Sequence, residues 1–192
     1  MADINSNRVD RESGSVSGRS TSGDKSADSN SQKTRHLVEY VELLFFAYRD
    51  FTGEPDAILD EYGFGRAHHR VMHFVYRNPG LRVADLLEIL NITKQSLARV
   101  LKQLIDDEFI VQHSGLSDRR ERRLYVTKRG QNLAERLISL QCKRIEDALA
   151  VAGADSKDTI AAFLLAVVSP EDRAMVTQLV SRAQHKSMDE RD

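Results

Sequence analysis

Between Asn91 and Gly130 the sequence changes its hydrophobic period twice, and few folds accept that order of segments. Leu97, Val100, Leu101, Leu104 and Ile105 recur at the spacing of one buried helical face, which leaves Lys94, Gln95, Arg99, Lys102 and Asp106 on the other side. The pattern then turns β-like. Phe109-Ile110-Val111 and Leu124-Tyr125-Val126 bracket the turn-forming run Ser114-Gly115-Leu116-Ser117-Asp118, so a hairpin is the economical reading. A helix with one packing face and one free polar face therefore leads into a basic hairpin. From Ser114 to Gly130 six basic residues (Arg119, Arg120, Arg122, Arg123, Lys128, Arg129) stand against two acidic ones (Asp118, Glu121), a net of +4 in a chain whose formal net charge is −1. For a polyanionic partner such a patch matters more than the average.

The rest of the composition narrows the class. A chain of 192 residues can hold one domain plus a tail and bury a core without metal or disulfide staples. Its one cysteine, Cys142, excludes an intrachain disulfide and fits a reducing compartment. No apolar run approaches the roughly 20 residues of a membrane span, and no signal-type apolar segment opens the sequence. A soluble, cytoplasmic protein is expected.

In chain order, residues 1–33 are dominated by Ser, Gly, Asn, Asp and Arg, and read as a disordered polar tail. Leu37, Val41, Leu44, Phe45 and Tyr48 form a helical stripe over about 36–51, stopped at Thr52-Gly53-Glu54-Pro55. Val38, Leu43, Phe46 and Phe51 lie off that stripe, and a helix apolar on two sides usually has a second packing partner. Ala57 to Gly65 reads as a linker or short helix. Ala67, Val71, Phe74 and Val75 mark a further helix closed by Asn78-Pro79-Gly80. A short helix with Val83, Leu86, Leu87 and Leu90 inward is joined by Asn91-Ile92 to the long helix, with Thr93 placed to cap it. Two helices joined by so short a turn, the second with a polar free face, form a helix-turn-helix. Thr127 is the expected cap of a helix through Leu133, Leu137, Leu140, Ile145 and Leu149; two more follow, around Ile160 to Val168 and Met175 to Val180.

This order of parts resembles the MarR family of bacterial winged-helix transcription regulators from His36 to about Ala183. The family's wing motif, Asp-x-Arg, further charge, then an apolar strand ending in Leu-Thr-x-x-Gly, is matched by Asp118-Arg119-Arg120-Glu121-Arg122-Arg123-Leu124-Tyr125-Val126-Thr127-Lys128-Arg129-Gly130. The chain departs from the family at Arg82, where a Ser or Thr cap is usual, at Glu108 in place of glycine, and at Val126 in place of leucine. Glu108 is strained if the left-handed backbone is kept.

The resemblance implies a fold that is mainly α with a small β-hairpin: a winged helix-turn-helix over about 64–128, flanked by dimerisation helices over about 36–51 and 128–184. The single domain then spans 34–185, and a polar tail covers 186–192. It places Lys94, Gln95, Ser96 and Arg99 in the major groove of double-stranded DNA, and puts Arg119, Arg120 and Arg122 on a wing at the minor groove, with Asp118 orienting the turn. The chemistry agrees, since Arg pairs with guanine, Gln with adenine, and Lys and Ser hold phosphate. Arg123 alternates to the other side of its strand from Arg122 and is set apart.

Other residues have quieter readings. His68, His69 and His73 include one pair at metal-ligand spacing but no acidic or cysteine companion, so no metal site is expected. Cys142 reads as a buried packing residue, and Tyr40, Phe45, Phe46 and Tyr48 as core rather than an effector pocket. The expectation is a homodimeric, sequence-specific regulator on a near-palindromic operator, responsive to a small-molecule effector. No phosphate-cradling loop, nucleophile motif or cofactor site points to an enzyme. The alternative is a winged-helix module for protein or RNA contact without a DNA operator.

Overall fold

The computed structural model describes residues 24–115 and 121–189. It divides into two compact units, residues 1–45 and 46–192. Residues 1–23 of the expected tail, and Leu116 to Arg120 at the hairpin tip, lie outside the described residues.

The first helix, α1 (Asp24–Asp60), is longer than the sequence suggests at both ends. It begins inside the segment read as tail, and it runs through Gly53 and Pro55, where a stop was expected. The local cost of proline is outweighed by burial: Pro55 is fully enclosed, and beyond it Ile58 and Leu59 enter the core at 7% and 0% exposure. Thr52 adds a side-chain bond, its hydroxyl donating to the Tyr48 carbonyl at 2.9 Å. In the first unit, the expected stripe of Leu37, Val41 and Leu44 is exposed. Tyr40, Phe45, Phe46 and Tyr48 are exposed too, at 48–70%, which corrects their reading as core, and Cys142 is exposed, which corrects its reading as buried packing. Hydrophobicity alone does not separate a core position from an exposed one.

After Gly63, at φ +67°, come α2 (Arg66–Arg77), β1 (Leu81–Arg82), α3 (Val83–Leu90) and α4 (Lys94–Asp106). Asn78 closes α2 by donating from Nδ2 to the Phe74 carbonyl at 3.0 Å. Asn91 ends α3 in the left-handed conformation, at φ 47°. Thr93 caps α4 as expected, accepting from the Ser96 amide at 3.2 Å. Leu97, Val100, Leu101 and Leu104 are the buried face of α4. Strands β2 (Ile110–Ser114) and β3 (Arg122–Val126) form the hairpin, and β1 adds a third strand in the order β1-β3-β2. The sequence did not announce β1, whose two residues pair Leu81 with Leu124 and Arg82 with Arg123. Leu124, central in this sheet, is fully buried.

Helix α5 (Lys128–Ala152) opens at Thr127, which accepts from the Gly130 amide at 3.1 Å. After Gly153 a single 3-10 turn leads to α6 (Lys157–Val167), and α7 (Arg173–Asp189) runs into the segment expected as polar tail. The core joins the end of α1 to α2, α3, α4, the sheet and the first turns of α5, with Met72, Leu86, Leu104 and Phe109 among its fully buried side chains. No helix among the described residues is long and apolar enough to cross a membrane.

Candidate nucleic-acid interface

Packing of α4 through its apolar face turns its polar face outward, and hydrogen bonding sorts that face into committed and free side chains. The Ser96 hydroxyl accepts from Thr93 Oγ1 at 2.9 Å. Lys102 is ion-paired with Asp106 one turn on. Gln103 is tied on both sides: its Oε1 meets His68 Nε2 at 2.9 Å, and its Nε2 donates to the Gly63 carbonyl at 3.3 Å. Because His68 Nδ1 accepts the Gly65 amide at 3.1 Å, the ring proton sits on Nε2 and points at Gln103. Lys94, Gln95 and Arg99 are exposed, and among the described residues they have no hydrogen bond or ion pair.

The hairpin supplies a second set of cations, and acidic neighbours sort these too. Arg122 is exposed and has only a long contact, 3.4 Å, from Nη1 to Ser114 Oγ. Arg123, set apart by strand alternation, bonds Glu121 at 2.9 Å, and Arg82 of β1 lies 3.6 Å from the same carboxylate. Arg82 also donates to Asp85 at 2.7 Å, holding that carboxyl below its usual range. An ion pair thus stands where the family has a hydroxyl cap. Arg129 lies 4.3 Å over the Phe109 ring and donates to the Asp107 carbonyl at 2.9 Å, so it braces the hairpin root rather than presenting a free charge. Glu108 does sit at φ 61°, the left-handed position anticipated from the missing glycine. Asp118, Arg119 and Arg120 fall outside the described residues.

Between α4 and the hairpin runs a valley of about 640 Å³, with Leu87, Leu97, Leu101 and Ile105 on its floor and Lys94, Lys102 and Arg122 at its edges. Lys94 and Arg122 are thereby brought to one opening, while Gln95 and Arg99 stand further round the helix. The sequence reading overlooked Ala98, which lines this valley and is exposed on α4. Its spacing from Lys94 and Lys102 would have found it, had apolar residues on the polar face been considered.

A separate cavity of about 290 Å³ lies between the end of α1, α2 and α5, where Tyr48, Phe51, His69, Arg70, His73 and Gln141 are among its lining. Arg70 also donates to the Leu90 carbonyl at 2.9 Å, at the last residue of α3. No group of three potential ligands for a metal ion occurs among the described residues. Burial pushes the His73 imidazole down to about 4, helped by nearby His69 and Arg77. Burial lowers His69 as well, against the opposing influence of Asp56 and of a hydrogen bond with Gln141. Both rings are neutral in the fold, whereas the unfolded chain takes up their protons near pH 6.5. Stability is therefore full above that pH and is lost as pH falls toward 4. From pH 7 to pH 5 the His73 contribution alone is a loss of about 2 kcal/mol. Urea midpoints at the two pH values will show it, and a His73→Leu chain with an equally steep pH dependence would overturn the assignment.

Comparisons with known proteins give the family and the fold. A MarR family model matches residues 62–121. The chain is 44% identical over 137 residues to the HTH-type transcriptional regulator PetP of Rhodobacter capsulatus, covering 71% of this chain and 82% of that protein. Among solved structures, the transcriptional regulator SlyA aligns at a TM-score of 0.58 and 19% identity, over 73% of this chain and 98% of that one. The complex of Staphylococcus aureus MepR with DNA aligns at 0.53 and 16%, over 65% and 92%. At such identities the two structures speak for the fold alone.

Proposed function

Because this chain belongs to the MarR family of winged-helix transcriptional regulators, we propose that it binds a near-palindromic operator in double-stranded DNA as a homodimer in the cytoplasm. The observation that carries this reading is the set of uncommitted donors on one side of the molecule: Lys94, Gln95 and Arg99 on α4, beside Arg122 on the hairpin. Free cations next to an apolar valley suit a sugar-phosphate strand, with α4 in the major groove. Ser96 keeps its own hydroxyl hydrogen for a phosphate after accepting from Thr93. By the family's wing motif, Arg119 and Arg120 are the residues proposed for the flanking minor groove, where the negative potential is enhanced.

The dimer rests on exposed apolar surface. Leu43 and Phe45 on α1 are 62% and 70% exposed, and Leu164 and Val167 on α6 are 52% and 58% exposed. A soluble chain seldom leaves such side chains to water unless another chain covers them. Two α4 helices would then lie roughly 34 Å apart, one turn of B-form duplex.

Regulation follows from the cavity beside α2. A small molecule there would touch Arg70, whose guanidinium holds the end of α3, and so could favour one placement of the helix-turn-helix over another.

The test is an Arg120→Ala chain measured on an operator recovered from bound genomic fragments. Duplex affinity should fall about tenfold while sedimentation still gives a dimer. Unchanged affinity would remove the hairpin tip from the reading, and a monomer that binds a full palindromic site would remove the dimer.

A further inference from the structure

Resting on the DNA-binding reading, we infer that sequence is read by a three-residue set, Gln95, Ala98 and Arg99. The set takes an adenine, a thymine methyl and a guanine within one short run of each half-site. Apart from Lys94, the other polar side chains of α4 are already engaged. Lys102 is held by Asp106, Gln103 by His68 and Gly63, and Ser96 by Thr93, so none of these has its full bonding capacity to offer a base edge. Lys94 is free, and its ammonium, opening on the valley beside the Arg122 guanidinium, suits a phosphate rather than a base edge. Gln95 and Arg99 are exposed and uncommitted, and lie one turn apart on the outermost strip of the helix.

Their chemistry then selects the bases. The Gln95 amide has one donor and one acceptor side by side, matching adenine N6 and N7, whereas the Arg99 guanidinium has two parallel donors, matching guanine O6 and N7. Four residues of helix rise are about 6 Å, a little under two base-pair steps of about 3.4 Å, so the two purines sit one or two pairs apart. Ala98, one turn beyond Lys94 on the valley side of α4 and next to Arg99 in sequence, is exposed and carries only a methyl group. A thymine methyl is the one feature of a base edge that such a side chain recognises better than water does.

The test needs no altered fold. Duplex selected from a randomised pool by the full-length protein is resynthesised with 7-deazaguanine, 7-deazaadenine or uracil at single positions. Each analogue deletes one atom or group that the proposal names. Wild-type protein should lose about tenfold at one 7-deazaguanine position and at one 7-deazaadenine position, and a few-fold at one uracil position. Arg99→Ala should no longer distinguish guanine from 7-deazaguanine, Gln95→Ala adenine from 7-deazaadenine, and Ala98→Gly thymine from uracil. If the selected site tolerates all three analogues, or the variants keep every wild-type preference, the inference is overturned while the DNA reading stands. If no sequence is enriched and no duplex is bound, the DNA reading itself fails. Should a variant bind too weakly to measure, the analogue series on the wild-type protein decides alone.

Discussion

Raising the salt from 50 to 200 mM lowers affinity for the operator duplex about a thousandfold, the loss expected for a dimer that neutralises on the order of six phosphates. Three cations per chain are enough, and Lys94, Arg99 and Arg122 supply three among the described residues; on the proposed reading Arg119 and Arg120 add to them. Arg82 and Arg123 do not enter the sum, since the carboxylates of Asp85 and Glu121 are their partners. The slope of log affinity against log salt thus counts the free cations separately from the paired ones. Fluorescence anisotropy over that range measures it. A flat response would favour the rival reading, a winged helix that serves protein contact, and tight binding to structured RNA without a duplex preference would favour the other form of that rival.

Replacing Gly130 by alanine should cost about 3 kcal/mol or more of folding stability and abolish operator binding at ordinary concentrations. A Cβ built on Gly130 would lie 2.0 Å from the Phe109 carbonyl oxygen and 3.0 Å from its carbon. Neither atom can step aside cheaply. The same oxygen accepts from the Thr127 amide at 3.0 Å, and the Phe109 ring packs edge-on against Phe64 at 5.0 Å and Tyr62 at 5.4 Å. To admit a methyl group, the start of α5 must move away from the root of β2, carrying the hairpin with it. Urea denaturation reports the first effect and anisotropy the second. A Gly130→Ala chain within 1 kcal/mol of wild type would mean that this close approach is absent in solution.

Much of the helix-turn-helix was legible because its signals are local and agree with one another. The stripe of α4 and the caps at Thr93 and Thr127 each follow from residues within a turn or two of the feature, and the strain at Glu108 was anticipated from the family's glycine at that place. The errors have distant causes. Gly53 and Pro55 are true helix breakers, overruled by the burial of Ile58 and Leu59 against parts of the chain far off in sequence. Strand β1 is too short for any alternation, and exists because Leu124 and Arg123 offer it an edge. The aromatic residues of α1 looked like core since an apolar side chain reads the same in the sequence whether the fold encloses it or leaves it exposed. Within the candidate site, spacing found which side chains share a face of α4. It could not show that Lys102, Ser96 and Gln103 are occupied, because that depends on rotamers and on His68, 35 residues upstream.

The two attachments of α2, from Arg70 to the last carbonyl of α3 and from His68 to Gln103 of α4, bear on how such a protein tolerates imperfect sites. On the proposed reading, these two bonds resist rolling of the helix in the groove as long as the Arg70 tie is kept, so each half-operator would meet α4 at one angle of attack. Slack for an extra or missing base pair at the centre of the palindrome would then have to come from elsewhere in the proposed dimer. Mismatches inside a half-site should accordingly be penalised far more than changes in the spacer between them.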